Sequence, residues 1–121
     1  MLGGARVLVL EDEAIVALDI ADEIEAAGGL VVGPYASVAV ALAALEGVEV
    51  SGAILDVNLV DRDVTPVAIY LSDRGVSIIV HTGIGLPTEL RRALPDLPLM
   101  LKPTPSRALV EALEAQILQR S

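Results

Sequence analysis

Four short apolar runs in this chain end on side chains that can do chemistry. Val7-Leu8-Val9-Leu10 gives way to Glu11-Asp12-Glu13, Ala53-Ile54-Leu55 to Asp56, Ile78-Ile79-Val80 to His81-Thr82, and Leu97 through Leu101 to Lys102. Lys102 is the only lysine; every other basic side chain is arginine. Arginine is a planar fork made for bidentate pairing, whereas lysine is a compact charge with mobile donors, so a single retained lysine points to a small, crowded anion. A hard divalent cation such as Mg2+ takes carboxylate and carbonyl oxygens and keeps several waters. Asp12 and Asp56 are the candidate direct ligands, with Glu11 holding a metal-bound water and a backbone carbonyl near Asn58 completing the protein's share. Without the cation, three converging carboxylates repel one another and some of their pKa values rise. With it, Asp56 can act as a nucleophile toward phosphorus, because carboxylates form aspartyl-phosphate intermediates. Phosphoryl transfer through a loose transition state needs mainly charge neutralisation and in-line positioning, which Lys102 and the Thr82 hydroxyl can supply beside a cation.

Those residues can meet only if the runs that carry them are parallel strands of one sheet. Short apolar runs alternate with stretches of helical period, the pattern of repeated strand-helix units. A first helix follows Glu13, with Val16, Ile20, Ile24 and Ala27 on one face and Gly28-Gly29 as its left-handed stop. A second strand, Leu30 to Val32, ends at Gly33-Pro34. Ser37 caps a second, alanine-rich helix that runs to about Leu45. The third strand is Gly52 to Asp56. Thr65-Pro66 reads as an N-cap with proline in first helical position, and that helix ends at Arg74-Gly75. The fourth strand is Val76 to His81, followed by room for only a short helix around Thr88 to Leu94. The fifth is Leu97 to Leu101, and Thr104-Pro105 opens a last helix that buries Leu109, Leu113 and Ile117. Five strands with five helices make a doubly wound α/β sheet, whose ligand site lies beyond the carboxyl ends of the strands.

With 121 residues, positions 1–121 are expected to form one domain with a real core. That core must be aliphatic, because there is no Phe or Trp and only two Tyr. The absence of cysteine excludes disulfides and thiolate metal sites. A net charge of -9 disfavours direct contact with nucleic acid or an anionic membrane, which are met by clustered Lys and Arg. Residues Ala26 to Leu45 carry no charge over about the length of a membrane span. Gly28-Gly29 and Gly33-Pro34 nevertheless break any continuous helix, and the flanks, Glu25 and Glu46, are acidic. No signal-peptide pattern opens the chain. A cytoplasmic protein is expected.

Leu-Glu-Asp-Glu, Leu-Asp-Val-Asn-Leu, His-Thr-Gly and Leu-Lys-Pro, in this order and spacing, resemble the receiver domain of two-component response regulators over the whole chain. The resemblance implies the flavodoxin-like fold with strand order 2-1-3-4-5. It also implies phosphoryl acceptance on Asp56 from a sensor histidine kinase or phosphotransfer protein. Glu11, Asp12 and the Asn58 carbonyl would surround Mg2+, Thr82 would bind and report the phosphoryl group, and Lys102 would bridge to it. Pro103 matches the family's cis-peptide proline. Three features depart from the family. Leu99 stands where many receivers carry a switching aromatic, the loop after Thr82 is a loose Gly83-Ile84-Gly85, and Thr104-Pro105 follows Lys102-Pro103 where an aromatic is common. These departures resemble a subgroup of stand-alone receivers altered around the fourth helix and fifth strand.

Each of these residues also has a plain structural use. Acids favour a helix N-terminus, Asp56 or Thr82 could serve a turn, and Lys102 could be a solvated strand end; their joint order favours the phosphoacceptor. His81 is expected to be a partly exposed structural residue outside the site. Two rival functions follow from the same residues. A haloacid dehalogenase-like phosphohydrolase needs a second Asp two positions after its nucleophile, where this chain has Asn58. A pseudo-receiver would signal without phosphate, and its mark would be loss of Asp56, Asp12, Lys102 or Thr82. The expected protein partners are the phosphodonor, a downstream protein of unknown identity, and a second copy in a homodimer.

Overall fold

The computed structural model describes residues 1–120. Strands and helices alternate in the order β1 (Arg6–Leu10), α1 (Ala14–Ala26), β2 (Leu30–Tyr35), α2 (Val38–Leu45), β3 (Gly52–Asp56), α3 (Thr65–Ser72), β4 (Ser77–Thr82), α4 (Thr88–Ala93), β5 (Leu99–Leu101) and α5 (Ser106–Arg120). The five strands are parallel, in the order β2-β1-β3-β4-β5. This is the flavodoxin-like doubly wound sheet expected from the strand-helix alternation and the family resemblance.

Two aliphatic cores follow from the period-two alternation of the central strands. Leu8, Leu10, Ala53, Leu55, Ile78 and Val80 face one side and pack with α2, α3 and Leu90 of α4. Val7, Val9, Ile54 and Ile79 face the other and pack with Ile20 and Ile24 of α1 and Leu109, Val110 and Leu113 of α5. Every residue of β3 and β4 is buried, so the Asp56 and Thr82 that end them are fixed by strands with no solvent face.

Several element ends differ from the sequence reading, each for a local reason. β2 runs through Gly33-Pro34 to Tyr35, because the register with β1 shifts between Leu8 and Leu10 and pairing resumes at Leu10 with Tyr35. Gly33 adopts φ +100 there, and a Cβ would meet the Tyr35 nitrogen at 2.8 Å, so the irregularity requires glycine. Pro34 is tolerated because β2 is an edge strand, and both Gly33-Pro34 and Lys102-Pro103 are cis. Thr65 is not an N-cap: it lies inside α3, and its N–H donates to Asp63 Oδ1 at 2.9 Å. Thr104 likewise does not cap α5, since its hydroxyl donates to the Leu101 carbonyl and the helix begins at Ser106. Ser37 does cap α2, accepting from the Val40 N–H at 3.3 Å.

β5 is shorter than expected, beginning at Leu99 rather than Leu97. The Pro98 carbonyl still accepts from Val80 N–H, but Pro98 has no N–H to give to the next carbonyl down β4, that of Ile78. The Gln116 carboxamide of α5 takes the missing strand's place. Its Oε1 accepts from Ile78 N–H and its Nε2 donates to Ile78 C=O, both at 3.1 Å. Gln116→Leu leaves both groups of this buried residue unpaired, and each orphaned group costs about 1–3 kcal/mol. Urea unfolding of the variant should therefore show a midpoint well below that of Gln116→Glu, which retains an acceptor for Ile78 N–H.

Candidate functional site

The carboxyl ends of β1, β3 and β5 converge on one cluster of charge. Glu11 and Asp12 follow β1 directly, Asp56 ends β3, and Lys102 follows β5. One carboxylate oxygen from each of Glu11, Asp12 and Asp56 lies within 4.8 Å of the others. The Lys102 ammonium stands among them, 3.2 Å from Asp56 Oδ2, 3.3 Å from Glu11 Oε1 and 3.5 Å from Glu13 Oε1. Glu11 and Asp56 are buried, while Asp12 and Glu13 open to solvent. Backbone donors orient the two buried acids: Glu13 N–H reaches Glu11 Oε2 at 3.0 Å and Val57 N–H reaches Asp56 Oδ1 at 2.8 Å.

The electrostatics are those of too many acids in too little water. Burial pushes the Glu11 carboxyl up to about 7, with the Asp56 carboxyl adding to the rise against the Glu13 N–H. Burial and the neighbouring Asp12 also raise Asp56, and Lys102 only partly offsets them. Asp12 moves the other way, because hydrogen bonding with Asp56 first, and then with Glu11, outweighs what burial it has. Burial opposes the charge on Lys102, but Glu11 and Asp56 outweigh it and hold the ammonium above its ordinary range.

Three observations fit a small hard cation here. The donor set is all carboxylate oxygen. In octahedral coordination at 2.0–2.1 Å, ligand oxygens are separated by about 3–4 Å, within the span these three acids already keep. Glu11 Oε1 is buried and, among the described residues, meets only the Lys102 ammonium at 3.3 Å, with no hydrogen bond of its own. Asn58, the fourth expected contributor, lies two residues past Asp56 in an exposed turn closed by a bridge between Asn58 and Asp63.

Thr82 lies at the same end of the sheet, fully buried, one residue beyond the pairing of Asp56 with His81. Its hydroxyl is engaged by its own loop, accepting from Ile84 N–H and donating to Gly85 C=O, both at 3.3 Å. Ile84 between them is 79% exposed. His81 departs from expectation. It is only 4% exposed, faces the groove between α1 and the turn after Lys102, and neither ring nitrogen has a hydrogen-bond partner among the described residues. Burial, aided by the Lys102 charge, keeps the imidazole below its ordinary pKa and hence neutral. A polar side chain closing an apolar run gave no sign of depth, because the next strand's coverage decides it.

Sequence reasoning brought Glu11, Asp12, Asp56 and Lys102 together as found. It passed over Glu13 as a partner of Lys102, although Glu13 stood in the same acid run. It also missed Asp61, which ties the turn after β3 to α2.

No family model matches the chain, and no curated protein matches it. Solved structures do. The chain is 32% identical to SdrG from Sphingomonas melonis Fr1, with a TM-score of 0.77 over 98% of this chain and 99% of that one. It is 26% identical to a response regulator receiver protein from Sinorhizobium medicae WSM419, with a TM-score of 0.83 over the full length of both. A CheY-like response regulator receiver domain protein from Methanospirillum hungatei JF-1, 20% identical, shares the fold with a TM-score of 0.84. The acid cluster and its lysine thus stand on a backbone that matches receivers from end to end, and the chain belongs to the receiver domains of response regulators.

Proposed function

We propose that this receiver accepts a phosphoryl group on Asp56 and uses the change in charge to switch its protein contacts. The observation that carries the reading is the convergence of Asp56 with Glu11, Asp12 and the Lys102 ammonium. Glu11, Asp12, Asp56 and the Asn58 carbonyl would hold Mg2+, which when bound neutralises charge on the phosphoryl oxygens. An Asp56 carboxylate oxygen forms the new O–P bond as the P–N bond to a donor histidine breaks, and the leaving imidazole takes its proton from solvent. Lys102, already 3.2 Å from Asp56, turns to the incoming phosphoryl oxygens. Thr82 follows by exchanging the Gly85 carbonyl for a phosphoryl oxygen, which releases the turn at Ile84. The acyl phosphate carries about -1.5 to -2 charges where the carboxylate carried -1, a net gain of about -0.5 to -1 at this end of the sheet.

The output is then a changed surface over Gly83 to Lys102, read by another protein. A kinase or phosphotransfer protein serves as donor, and the chain signals without turning over a substrate. Among the described residues no helix is long and apolar enough to cross a membrane. That fits a receiver working as one unit in the cytoplasm, alone or as a homodimer. Asn58 in place of a second acid disfavours a phosphohydrolase, and Asp12, Asp56, Thr82 and Lys102 are all in place, which disfavours a phosphate-independent role.

Intact mass after incubation with acetyl phosphate and Mg2+ tests the reading. Wild type should gain one phosphate and Asp56→Asn none. A wild type that binds Mg2+ but takes no phosphate from acetyl phosphate or any kinase would remove phosphorylation from its mechanism.

A further inference from the structure

The turn that follows Asp56 is folded back on itself and fastened at its tip. Val64 N–H donates to Val57 C=O at 2.8 Å, Leu59 N–H donates to Arg62 C=O at 3.2 Å, and Asn58 bridges Asp63 in antiparallel fashion. These bonds make residues 57–64 a small hairpin whose base is Val57-Asn58 and whose tip is Val60-Asp61-Arg62. The tip is tied to a different part of the sheet. Asp61 Oδ1 accepts from Val38 N–H at 2.9 Å, and Oδ2 accepts from Ala39 N–H at 3.0 Å and from the Ser37 hydroxyl at 3.2 Å. Val60 N–H adds a fourth tie, to Ala36 C=O at 3.1 Å.

A helix start needs such acceptors, but α2 already has one in Ser37, whose oxygen takes Val40 N–H. Asp61 supplies what a local cap cannot, a connection between the segment after the phosphoacceptor and the layer built on β2 and α2. It sits at an exposed tip, where its charge is screened by solvent, so its contribution is geometric. Val38 N–H first, then Ala39 N–H and the Ser37 hydroxyl, hold its carboxyl down to about 2, so the tie persists well into acid.

We propose that Asp61 is a positioning residue for the cation site: by pinning the tip of the 57–64 hairpin to the start of α2, it fixes the Asn58 backbone next to Asp56. The inference rests on the proposal that Glu11, Asp12, Asp56 and Asn58 take Mg2+. A backbone carbonyl carries no charge to draw it toward a cation, so its value as a ligand depends on being held in place beforehand. Glu11, Asp12 and Asp56 are held by strand ends; Asn58 has only the hairpin. Freed at its tip, the hairpin can swing as a unit on the end of β3 at Asp56, carrying the Asn58 carbonyl with it, and that carbonyl is the ligand lost.

Amide spectra recorded during Mg2+ titration of wild type, Asp61→Ala, Asp61→Asn and Ser37→Ala, each with its thermal midpoint, test this. Asp61→Ala should bind Mg2+ about tenfold more weakly, the lower end of the loss seen when a residue that orients a ligand is removed. Asp61→Asn removes the same charge but keeps an acceptor for Val38 N–H, so it should fall between Asp61→Ala and wild type. Ser37→Ala loses the local cap and its own hydroxyl tie to Asp61 but keeps the two backbone ties from Val38 and Ala39, and should melt earlier with Mg2+ affinity close to that of wild type. A lower midpoint with unchanged affinity in both Asp61 variants would overturn the proposal, reducing Asp61 to a helix cap. Equal affinities for Asp61→Ala and Asp61→Asn, both weakened, would also overturn it, since charge alone would then account for the loss. If Asp61→Ala does not fold, unchanged affinity in Asp61→Asn overturns the proposal, as does a loss that vanishes in high salt where charge is screened, whereas a loss that persists there supports it. Absence of Mg2+ binding by wild type itself would instead remove the cation reading on which the inference stands.

Discussion

Lys102→Met should lower the stability of the metal-free protein by about 3 kcal/mol at pH 8, the scale on which one partner is deleted from a buried ion pair. For a chain of this length that is roughly a 10 °C fall in melting temperature. The ammonium is the cation that reaches both buried acids, at 3.2 Å from Asp56 and 3.3 Å from Glu11, and a thioether of similar length fills the space without the charge. The deficit must also depend on pH, in a definite direction. The folded-state pKa of Glu11 is raised to about 7 from 4.5, so the native protein keeps a proton the unfolded chain has already released. Ionising Glu11 in place therefore costs stability, and the cost grows as pH rises from about 4.5 and is complete above 7. Removing Lys102 enlarges that cost, so the gap between variant and wild type should be widest at pH 8 and narrow toward pH 5. Paired thermal melts at the two pH values measure it. A gap that is equal at both, or wider at pH 5, would mean that the ammonium does not offset these carboxylates.

The pH dependence comes from residues that were legible in the sequence, and the limits of that legibility have physical causes. β1, β3 and β4 read clearly because they are buried on both faces and show as unbroken apolar runs. Their ends therefore placed Glu11, Asp12, Asp56 and Thr82 on one side of the sheet. Edge strands read less well, since neighbours rather than composition fix their ends. β2 continues past Gly33-Pro34 because pairing with β1 resumes after an irregularity, and β5 loses two residues because Pro98 cannot donate. Helix starts at Thr65 and Thr104 were misread for a related reason. A hydroxyl before proline looks like a cap, yet Asp63 serves α3 and Thr104 turns to a carbonyl behind it. Gln116, Asp61 and Ser106 act across long separations in sequence, Ser106 donating to Asp19 at 2.7 Å, and no periodicity announces such bonds.

Asp56→Asn should raise the melting temperature of the metal-free protein while abolishing phosphate acceptance. Burial and Asp12 hold the Asp56 carboxyl above its ordinary pKa, so its ionised form is disfavoured where it stands. An amide of the same shape escapes that cost, and relief of a crowded buried charge is worth about 1–2 kcal/mol. The substitution does not strand Lys102, whose ammonium keeps Glu11 at 3.3 Å and Glu13 at 3.5 Å. Sign and pH follow together. A raised folded-state pKa means that wild type loses stability as pH rises past the unfolded value, so the variant's advantage should be absent near pH 3 and grow toward neutrality. Mg2+ should then reverse the order. A ligand that binds only the folded state stabilises by RT ln(1 + [L]/Kd), and wild type, with its full set of carboxylates, should gain more than the variant as Mg2+ is added. Melting curves for both proteins with chelator and with Mg2+ decide it. Crossing curves would show that the acids are kept together, at a cost to the metal-free fold, for the cation that relieves them. A variant less stable than wild type in chelator would mean that Asp56 is held by Lys102 as an ordinary ion pair, and that its neighbours impose no strain for a cation to relieve.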